Sequence, residues 1–161
     1  MPEIIVIAHN IRSTHNIGSI FRTCEGFGVS KIIISGYSPY PKLIHETRLP
    51  HLVEKLTNQI HKTALGAETM VECEYTENLN LELFKKQGFV IVGLEQDKKS
   101  IPINKYKVPK KIALLIGEEV SGITDDLRIL CDNIIEIPMC GKKESFNVSV
   151  ATGIALYALT I

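Results

Sequence analysis

The chain has 161 residues, 45% of them hydrophobic and 22% charged, which is typical of one soluble globular domain. Its 18 basic and 18 acidic residues give a formal net charge of zero, which argues against a broad attraction to nucleic acid but permits a local cluster of Arg and Lys. The sequence has no apolar run near the ~18 residues of a membrane span and no signal peptide, so we expect a cytoplasmic protein.

The four cysteines are scattered and form no C-x-x-C pair, so neither a metal site nor a disulfide framework is predicted. Cys24 and Cys140 lie close to the polar motifs described below. We interpret both as buried, unreactive thiols.

Short apolar runs rich in β-branched residues recur along the chain and predict strands at 3–8, 31–35, 70–73, 89–94, 112–116 and 133–137. They are apolar nearly throughout, as expected of strands that are covered on both faces. Helices are predicted between them at 16–27, 52–65, 79–87, 125–130 and 147–159. This alternation indicates a single α/β domain, residues 1–161, with a doubly wound and mostly parallel sheet.

Two of the predicted helices carry informative patterns. In helix 16–27 a buried stripe is expected at Ile17, Ile20, Phe21 and Cys24, and Arg22 falls on the opposite side. Helix 147–159 is apolar around most of its circumference, so we expect it to be well buried. The lysine- and proline-rich segment 95–109 is expected to be an exposed loop.

A first polar loop follows strand 3–8 and reads His9-Asn10-Ile11-Arg12-Ser13-Thr14-His15-Asn16-Ile17-Gly18. It leaves the carboxyl end of a strand, where open α/β sheets bind their ligands. Asn16 is predicted to cap the following helix with its side chain. The alternative is a capped helix with a surface arginine and no site, and the residues alone do not separate the two.

A second loop follows strand 112–116 and reads Gly117-Glu118-Glu119-Val120-Ser121-Gly122. Two glycines allow the backbone to turn tightly and to approach a ligand. The loop is neither the G-x-G-x-x-G dinucleotide fingerprint nor a P-loop. An ordinary connecting loop is the alternative interpretation.

A third loop follows strand 133–137 and contains Ile137-Pro138-Met139-Cys140-Gly141 and then Ser145-Phe146-Asn147-Val148-Ser149. Ser145 and Asn147 suit the cap region of the last helix. Three such loops at strand ends, without a competing nucleotide motif, favour one shared ligand site.

In their order along the chain and in their residue patterns, the three loops resemble the motifs of the SpoU/TrmH family of SPOUT-superfamily RNA 2′-O-methyltransferases. The matching patterns are Asn10-x-Arg12 with Asn16-x-Gly18-x-x-x-Arg22-Thr23, Gly117-x-Glu119-x-x-Gly122, and Ile137-Pro138-Met139 with Ser145-Phe146-Asn147-Val148-Ser149-Val150-Ala151. The resemblance spans residues 10 to 151, and the third pattern is the most specific. Phe146 is a departure, since the family usually has Leu there.

The resemblance implies a C-terminal trefoil knot, a homodimer, and S-adenosyl-L-methionine bound in the knotted loops, without a metal or a membrane. The implied substrate is RNA, either tRNA or rRNA. Many relatives carry an extra RNA-binding domain or basic terminal helices. We expect neither here, because the first strand begins at residue 3 and the last helix runs to the terminus. The catalytic domain and its dimer mate are then expected to hold the RNA.

The resemblance also implies roles for individual residues. Arg22 is the catalytic arginine, with Asn16 placing it and the RNA, and the polar site is completed by Glu119, Ser145 and Asn147. The cofactor is expected to contact Leu94, Gly117, Ile137, Ser145 and Phe146. A guanidinium is almost never neutral at pH 7, so we favour a role for Arg22 in binding a phosphate and stabilising the developing alkoxide over a role as general base.

Two other functions stay open at this point. The same fold could bind RNA without catalysis, although the intact Arg22, Glu119 and Asn147 argue against it. An unrelated doubly wound flavin or nucleotide binder is less favoured, because the sequence contains no phosphate-binding glycine loop.

Overall fold

The computed structural model describes all residues, Met1–Ile161, and its centre is a seven-stranded sheet in which every strand pair is parallel. The strands are β1 (Glu3–His9), β2 (Lys31–Ser35), β3 (Glu72–Thr76), β4 (Val90–Leu94), β5 (Ile101–Pro102), β6 (Lys111–Ile116) and β7 (Asn133–Glu136). Their order across the sheet is β3-β2-β1-β6-β4-β7-β5. The predicted α/β class and parallel sheet are confirmed.

The chain has five α-helices, four of which lie between strands, while the fifth follows β7: α1 (Thr14–Gly26), α2 (Pro50–Ala64), α3 (Leu81–Lys86), α4 (Asp125–Arg128) and α5 (Val148–Thr160). Residues from α1, α2 and α5 join one core cluster of 23 buried side chains, and residues from α3 and α4 join a second cluster of 10. Alternate residues of β1 enter the two clusters, because successive side chains of a strand point to opposite faces. The sheet is therefore doubly wound, with helices on both faces. None of the five helices is long and apolar enough to cross a membrane.

The strand order brings the three polar loops together. In the register, Ile7 of β1 lies opposite Leu115 of β6, and Leu114 of β6 lies opposite Val92 of β4. Next to β4 runs β7, with Gly93 opposite Ile134. Because these strands are parallel, the loops that follow β1, β6, β4 and β7 all leave the same edge of the sheet. The strand order changes direction between β1 and β6, which is where doubly wound sheets bind ligands.

Helix α1 differs from the prediction at its start. The N-cap is Ser13, whose side chain accepts a hydrogen bond from the backbone N–H of Asn16 at 3.2 Å. The prediction that Asn16 caps the helix is therefore wrong, and the reason is that the helix begins two residues earlier, at Thr14. The side-chain amide of Asn16 is consequently free for other contacts. The predicted buried stripe and the exposed position of Arg22 are confirmed.

Helix α5 is less buried than its composition predicts. One face, formed by Thr152, Ala155, Leu156 and Leu159, is buried, while Val150 and Tyr157 are 50% and 58% exposed. The reason is that only one side of α5 meets the sheet and α1. The chain therefore presents an apolar helix face that is largely uncovered, although the ring of Phe27 contacts Tyr157 edge-on.

The structure differs from the sequence predictions at three further places. Strand β3 starts at Glu72 instead of residue 70, because a 3₁₀ turn at Ala67–Thr69 precedes it. In segment 95–109 no residue is fully buried, but it contributes strand β5, and Tyr106 packs against the larger core. The prediction that Cys24 is buried is confirmed, and burial raises the pKa of its thiol. The same prediction for Cys140 is wrong, because its loop projects from the sheet edge and is exposed.

The implied trefoil knot stays a prediction.

Candidate functional site

The three polar loops are joined by one carboxylate. Glu119, in the second loop, accepts hydrogen bonds from the backbone N–H of Arg12 at 3.2 Å, from that of Ser13 at 3.3 Å, and from the side-chain amide of Asn16 at 3.0 Å. Asn16 in turn accepts a hydrogen bond from the side-chain amide of Asn147 at 3.2 Å. A continuous hydrogen-bonded chain therefore runs from the second loop through the first to the third.

Asn147 also organises the start of α5. Its side-chain oxygen accepts hydrogen bonds from the backbone N–H and from the hydroxyl of Ser149, at 2.9 and 2.7 Å. The prediction that Asn147 belongs to the helix cap is confirmed, since it is the N-cap residue. One amide group thus caps α5 through its oxygen and holds Asn16 through its nitrogen.

The surroundings of Glu119 keep it ionised. Partial burial acts to raise the pKa of this carboxyl, but the hydrogen bonds donated by Asn16 and by the backbone of Arg12 and Ser13 outweigh burial and lower the pKa below its ordinary value. Glu119 is therefore a charged acceptor at neutral pH. It positions the first loop and is not a proton donor.

A cavity of about 340 Å³ opens beside this hydrogen-bonded chain, within the size range of small-molecule sites. All five residues predicted to contact the cofactor line it, together with Glu119: Leu94, Gly117, Ile137, Ser145 and Phe146. They come from the end of β4 and from the loops after β6 and β7, which the strand order places side by side. The sequence prediction thus grouped residues that the structure brings together.

The cavity is acidic. Five carboxylates line it, and no Lys, Arg or His does: Glu95, Glu118, Glu119, Glu136 and Glu144. A wall of this charge favours a cationic ligand and disfavours phosphate groups. This argues against the flavin or nucleotide binder that the sequence left open.

Gly117 permits the tight turn of the second loop, as the sequence predicted. A β-carbon there would lie 2.5 Å from the backbone C and O atoms of Gly122 and 2.6 Å from the backbone N of Ile123. Glycine is thus required for the 117–122 loop to close on itself.

Glu95 is a site residue that the sequence analysis missed. Its carboxylate accepts a hydrogen bond from the backbone N–H of Ile123 at 3.0 Å and so ties the loop after β4 to the loop after β6. The available signal was its position, since it is the first polar residue after the apolar strand β4. Glu95 also lines the cavity.

Arg22 lies apart from the other predicted site residues. Its side chain is exposed, makes no hydrogen bond or ion pair within the chain, and does not line the cavity. Asn16 directs its amide to Glu119 and Asn147, not to Arg22. The guanidinium is therefore free for a group from outside this chain.

The parallel sheet, with three loops that converge on one cavity at the switch in strand order, is the fold of known RNA methyltransferases. The TrmH/SpoU tRNA modifying enzyme of A. aeolicus superposes with a TM-score of 0.79 at 29% sequence identity, covering 99% of this chain and 75% of the other. An AdoMet-bound rRNA methyltransferase from Sinorhizobium meliloti shares the fold, with a TM-score of 0.77 at 23% identity, covering 98% and 55%.

Residues 3–157 match the SpoU rRNA Methylase family, and the chain belongs to this family. It is 34% identical over 158 residues to a tRNA (guanosine(18)-2'-O)-methyltransferase of Aquifex aeolicus, covering 96% of this chain and 67% of that protein. It is 31% identical over 157 residues to a 23S rRNA (guanosine-2'-O-)-methyltransferase of Acinetobacter baylyi, of which it spans 58%.

Proposed function

We propose that this protein transfers a methyl group from S-adenosylmethionine to a ribose 2′-hydroxyl of tRNA or rRNA. The observation that carries the proposal is the hydrogen-bonded chain from Glu119 through Asn16 to Asn147 beside the acidic cavity. It joins the three family motifs into one site, as the proposed reaction requires. The cytoplasmic location stays a prediction.

The cavity fits the proposed cofactor in its chemistry. Leu94, Ile137 and Phe146 offer apolar walls, and the surrounding carboxylates favour a positive charge. When bound, S-adenosylmethionine supplies a methyl group on a positively charged sulfur. The chain's own contribution is to hold the acceptor ribose in line with that methyl group and to exclude water, which are large sources of rate enhancement.

Asn16 is positioned to orient the ribose. A side-chain amide nitrogen has two hydrogens, and Glu119 accepts only one of those of Asn16. The other is free to donate to a ribose oxygen. Since Glu119 and Asn147 hold the amide from both sides, its direction is set before RNA arrives. Ser145 makes no hydrogen bond through its hydroxyl within the chain and lines the cavity, so it is available to the reacting groups.

Arg22 is proposed to bind a phosphate next to the methylated ribose and to stabilise the charge that develops on the 2′-oxygen. A guanidinium is in general a poor base and a good phosphate ligand, because its planar N–H donors match the oxygens of a phosphate. Its freedom from partners within the chain supports this role.

We also propose a homodimer. Val150 and Tyr157 belong to the uncovered apolar face of α5, and a second copy that packs on this face would bury them. A second copy also offers a route for Arg22, which lies outside the cavity of its own chain, to reach the cavity of its mate. The dimer therefore accounts for two observations that a single chain leaves unexplained.

The test has two stages. Titration calorimetry with S-adenosylmethionine should show binding, and the same titration with flavin mononucleotide should show none. Transfer of labelled methyl groups to total tRNA and total rRNA from cells that lack the gene should then identify the substrate, followed by mapping of the 2′-O-methyl position. Absence of cofactor binding would contradict the proposal. Binding of both cofactor and RNA without any transfer would favour the non-catalytic alternative.

A further inference from the structure

A second, open cavity of about 630 Å³ lies at the same edge of the sheet, beyond the ends of β1 and β2. Its aromatic and basic lining consists of Arg12, Tyr37, Tyr40, Arg48 and Tyr75. Neither the family motifs nor the cofactor site accounts for these aromatic residues. We refer to this cavity as the tyrosine groove.

The tyrosine groove adjoins the acidic cavity through one ion pair. Arg12, which lines the groove, lies 2.6 Å from the carboxylate of Glu118, which lines the acidic cavity. The Arg12 side chain is 68% exposed, whereas that of Glu118 is only 9% exposed. A buried carboxylate thus anchors a cation whose outer surface faces solvent, between the two cavities.

Part of the groove wall is held together by contacts among its own side chains. Tyr40 is stacked on Tyr75 with 4.1 Å between ring centroids, and the guanidinium of Arg48 covers Tyr40 at 3.5 Å from its ring centroid. Arg48 also donates hydrogen bonds to Glu46 and to the backbone oxygens of Tyr40 and Pro41. Both sides of the Tyr40 ring and four of the five N–H groups of the Arg48 guanidinium are therefore occupied.

Tyr37 differs, because its backbone is held while its ring is 55% exposed. The side-chain oxygen of Asn10 accepts a hydrogen bond from the backbone N–H of Tyr37 at 3.1 Å. Gly36 has φ +66°, and a β-carbon there would collide with that same oxygen. On the other side, Ser38 is buried and its hydroxyl accepts a hydrogen bond from the backbone N–H of Ile11 at 2.8 Å. An exposed ring on a fixed backbone loses little entropy when it stacks on a ligand.

We propose that Tyr37 and Arg12 form a nucleotide subsite of the substrate RNA, in which an unpaired base next to the methylated nucleotide stacks on Tyr37 and its phosphate binds Arg12. The inference rests on the proposed function, since that makes RNA the substrate. Aromatic faces bind unpaired bases, and arginines bind phosphates with paired hydrogen bonds. The Arg12 guanidinium lies over one face of the Tyr37 ring, 5.9 Å from its centre, so a nucleotide whose base stacks on the other face can contact both residues. A chain of zero net charge must hold RNA by such placed contacts.

A single tryptophan makes the stacking visible. The chain contains no Trp, so Tyr37→Trp introduces one fluorophore at the subsite. We expect total tRNA or total rRNA to quench its fluorescence, and heparin, a polyanion without bases, to leave it unchanged. Leu83→Trp is the matched control, because Leu83 is 52% exposed on α3, on the opposite face of the sheet. RNA should not quench that fluorophore.

Affinity supplies a second measurement. Tyr37→Ala should weaken RNA binding by roughly 5- to 150-fold, the loss typical of one base–aromatic stack, and Tyr37→Phe should retain most of the affinity. Arg12→Ala should lower the slope of log affinity against log salt by about one. Leu83→Ala and Lys86→Ala, both on α3, should change neither quantity.

Equal quenching by heparin and RNA, or full RNA affinity in Tyr37→Ala, would overturn the subsite.

The two proposals, the methyltransferase activity and the nucleotide subsite, fail differently. If the subsite is wrong, the Tyr37 variants still bind cofactor and methylate RNA at the unaltered rate. If the methyltransferase proposal is wrong, the unaltered protein transfers no methyl group, while quenching of Tyr37→Trp by RNA still reports on the subsite. Quenching by an added protein but not by RNA would assign the groove to a protein partner and overturn the inference.

Discussion

Asn16 and Glu119 are joined by a 3.0 Å hydrogen bond although they are 103 positions apart in the sequence. The bond exists because β1 and β6 are adjacent and parallel, so the loops that follow them leave the sheet side by side. It couples the loop that is proposed to orient the ribose to the loop that closes the cofactor cavity.

The charge of Glu119 makes the stability of this contact depend on pH. Because its pKa in the folded chain lies below the ordinary 4.5, its contribution to stability is complete above about pH 4.5 and is lost as the pH falls through the lowered pKa. Glu119→Gln should lower the free energy of unfolding by about 1–3 kcal/mol at pH 7, since a neutral amide satisfies fewer of the three donors. In urea titrations this difference should shrink as the pH falls towards 3.

Glu77→Gln is the control for this effect, because Glu77 is exposed and its side chain makes no hydrogen bond or ion pair. Its free energy of unfolding should follow that of the unaltered protein at every pH. A pH-independent deficit in Glu119→Gln would mean that the carboxylate charge contributes nothing to the contact.

Gly117→Val should disrupt the 117–122 loop and abolish cofactor binding, because the β-carbon would meet the backbone of Gly122 and Ile123. Since backbone must move, we also expect a loss of stability of about 1–3 kcal/mol, typical of overpacking. Calorimetry with S-adenosylmethionine and thermal denaturation measure the two effects. Gly141→Ala, where a β-carbon would meet no atom within 4 Å, should change neither. Unaltered cofactor affinity in Gly117→Val would remove this loop from the site.

Gly18 is a packing residue of the first motif. A β-carbon there would lie 2.1 Å from the hydroxyl of Thr63 and 2.3 Å from the backbone oxygen of Ile60, where α1 crosses α2. Gly18→Ala should therefore destabilise the protein by roughly 1–3 kcal/mol. Gly26→Ala, in the same helix with open space around it, should be neutral or stabilise by up to about 1 kcal/mol. Equal melting temperatures for the two variants would show that the helix crossing is looser than described.

Arg22→Ala should separate catalysis from folding. The exposed side chain has no partner in the chain, so stability should change by less than about 0.5 kcal/mol. Methyl transfer to RNA should fall by about 10²–10³, the cost of one lost electrostatic contact with a transition state. Arg22→Lys should recover little, because an ammonium does not reproduce the planar fork of a guanidinium.

The control for Arg22 is Glu25→Ala, another exposed position on α1, which should retain full activity. If Arg22→Ala keeps more than about a tenth of the activity, the proposed role in charge stabilisation is wrong. If it unfolds, Arg22 belongs to the scaffold.

The dimer depends on the uncovered face of α5. Val150→Glu places a charge on a side chain that is 50% exposed in one chain but would be buried in a dimer. We expect light scattering to give the mass of two chains for the unaltered protein and of one chain for the variant at micromolar concentration. Leu83→Glu, on the opposite face of the sheet, should remain dimeric. A single-chain mass for the unaltered protein would contradict the dimer.

The sequence alone was sufficient for the elements that depend on near neighbours. The continuous apolar run of β1 identifies a strand covered on both faces, and the spacing of Ile17, Ile20, Phe21 and Cys24 identifies the buried side of α1. The order of the three motifs was sufficient to group Gly117 and Phe146 in one cavity through the family resemblance. All these signals are carried by residue type and short spacing.

Only the tertiary structure decided which side chains meet across the sheet edge. It showed that Asn16 does not cap the helix but connects Glu119 to Asn147, and that Arg22 lies outside the cavity. It also set Tyr37 beside the site by locking a loop after β2 against the loop after β1. Periodicity reports the direction of a side chain relative to its own helix or strand. The partner that it finds there depends on strand order and on the path of distant loops, which no local pattern contains.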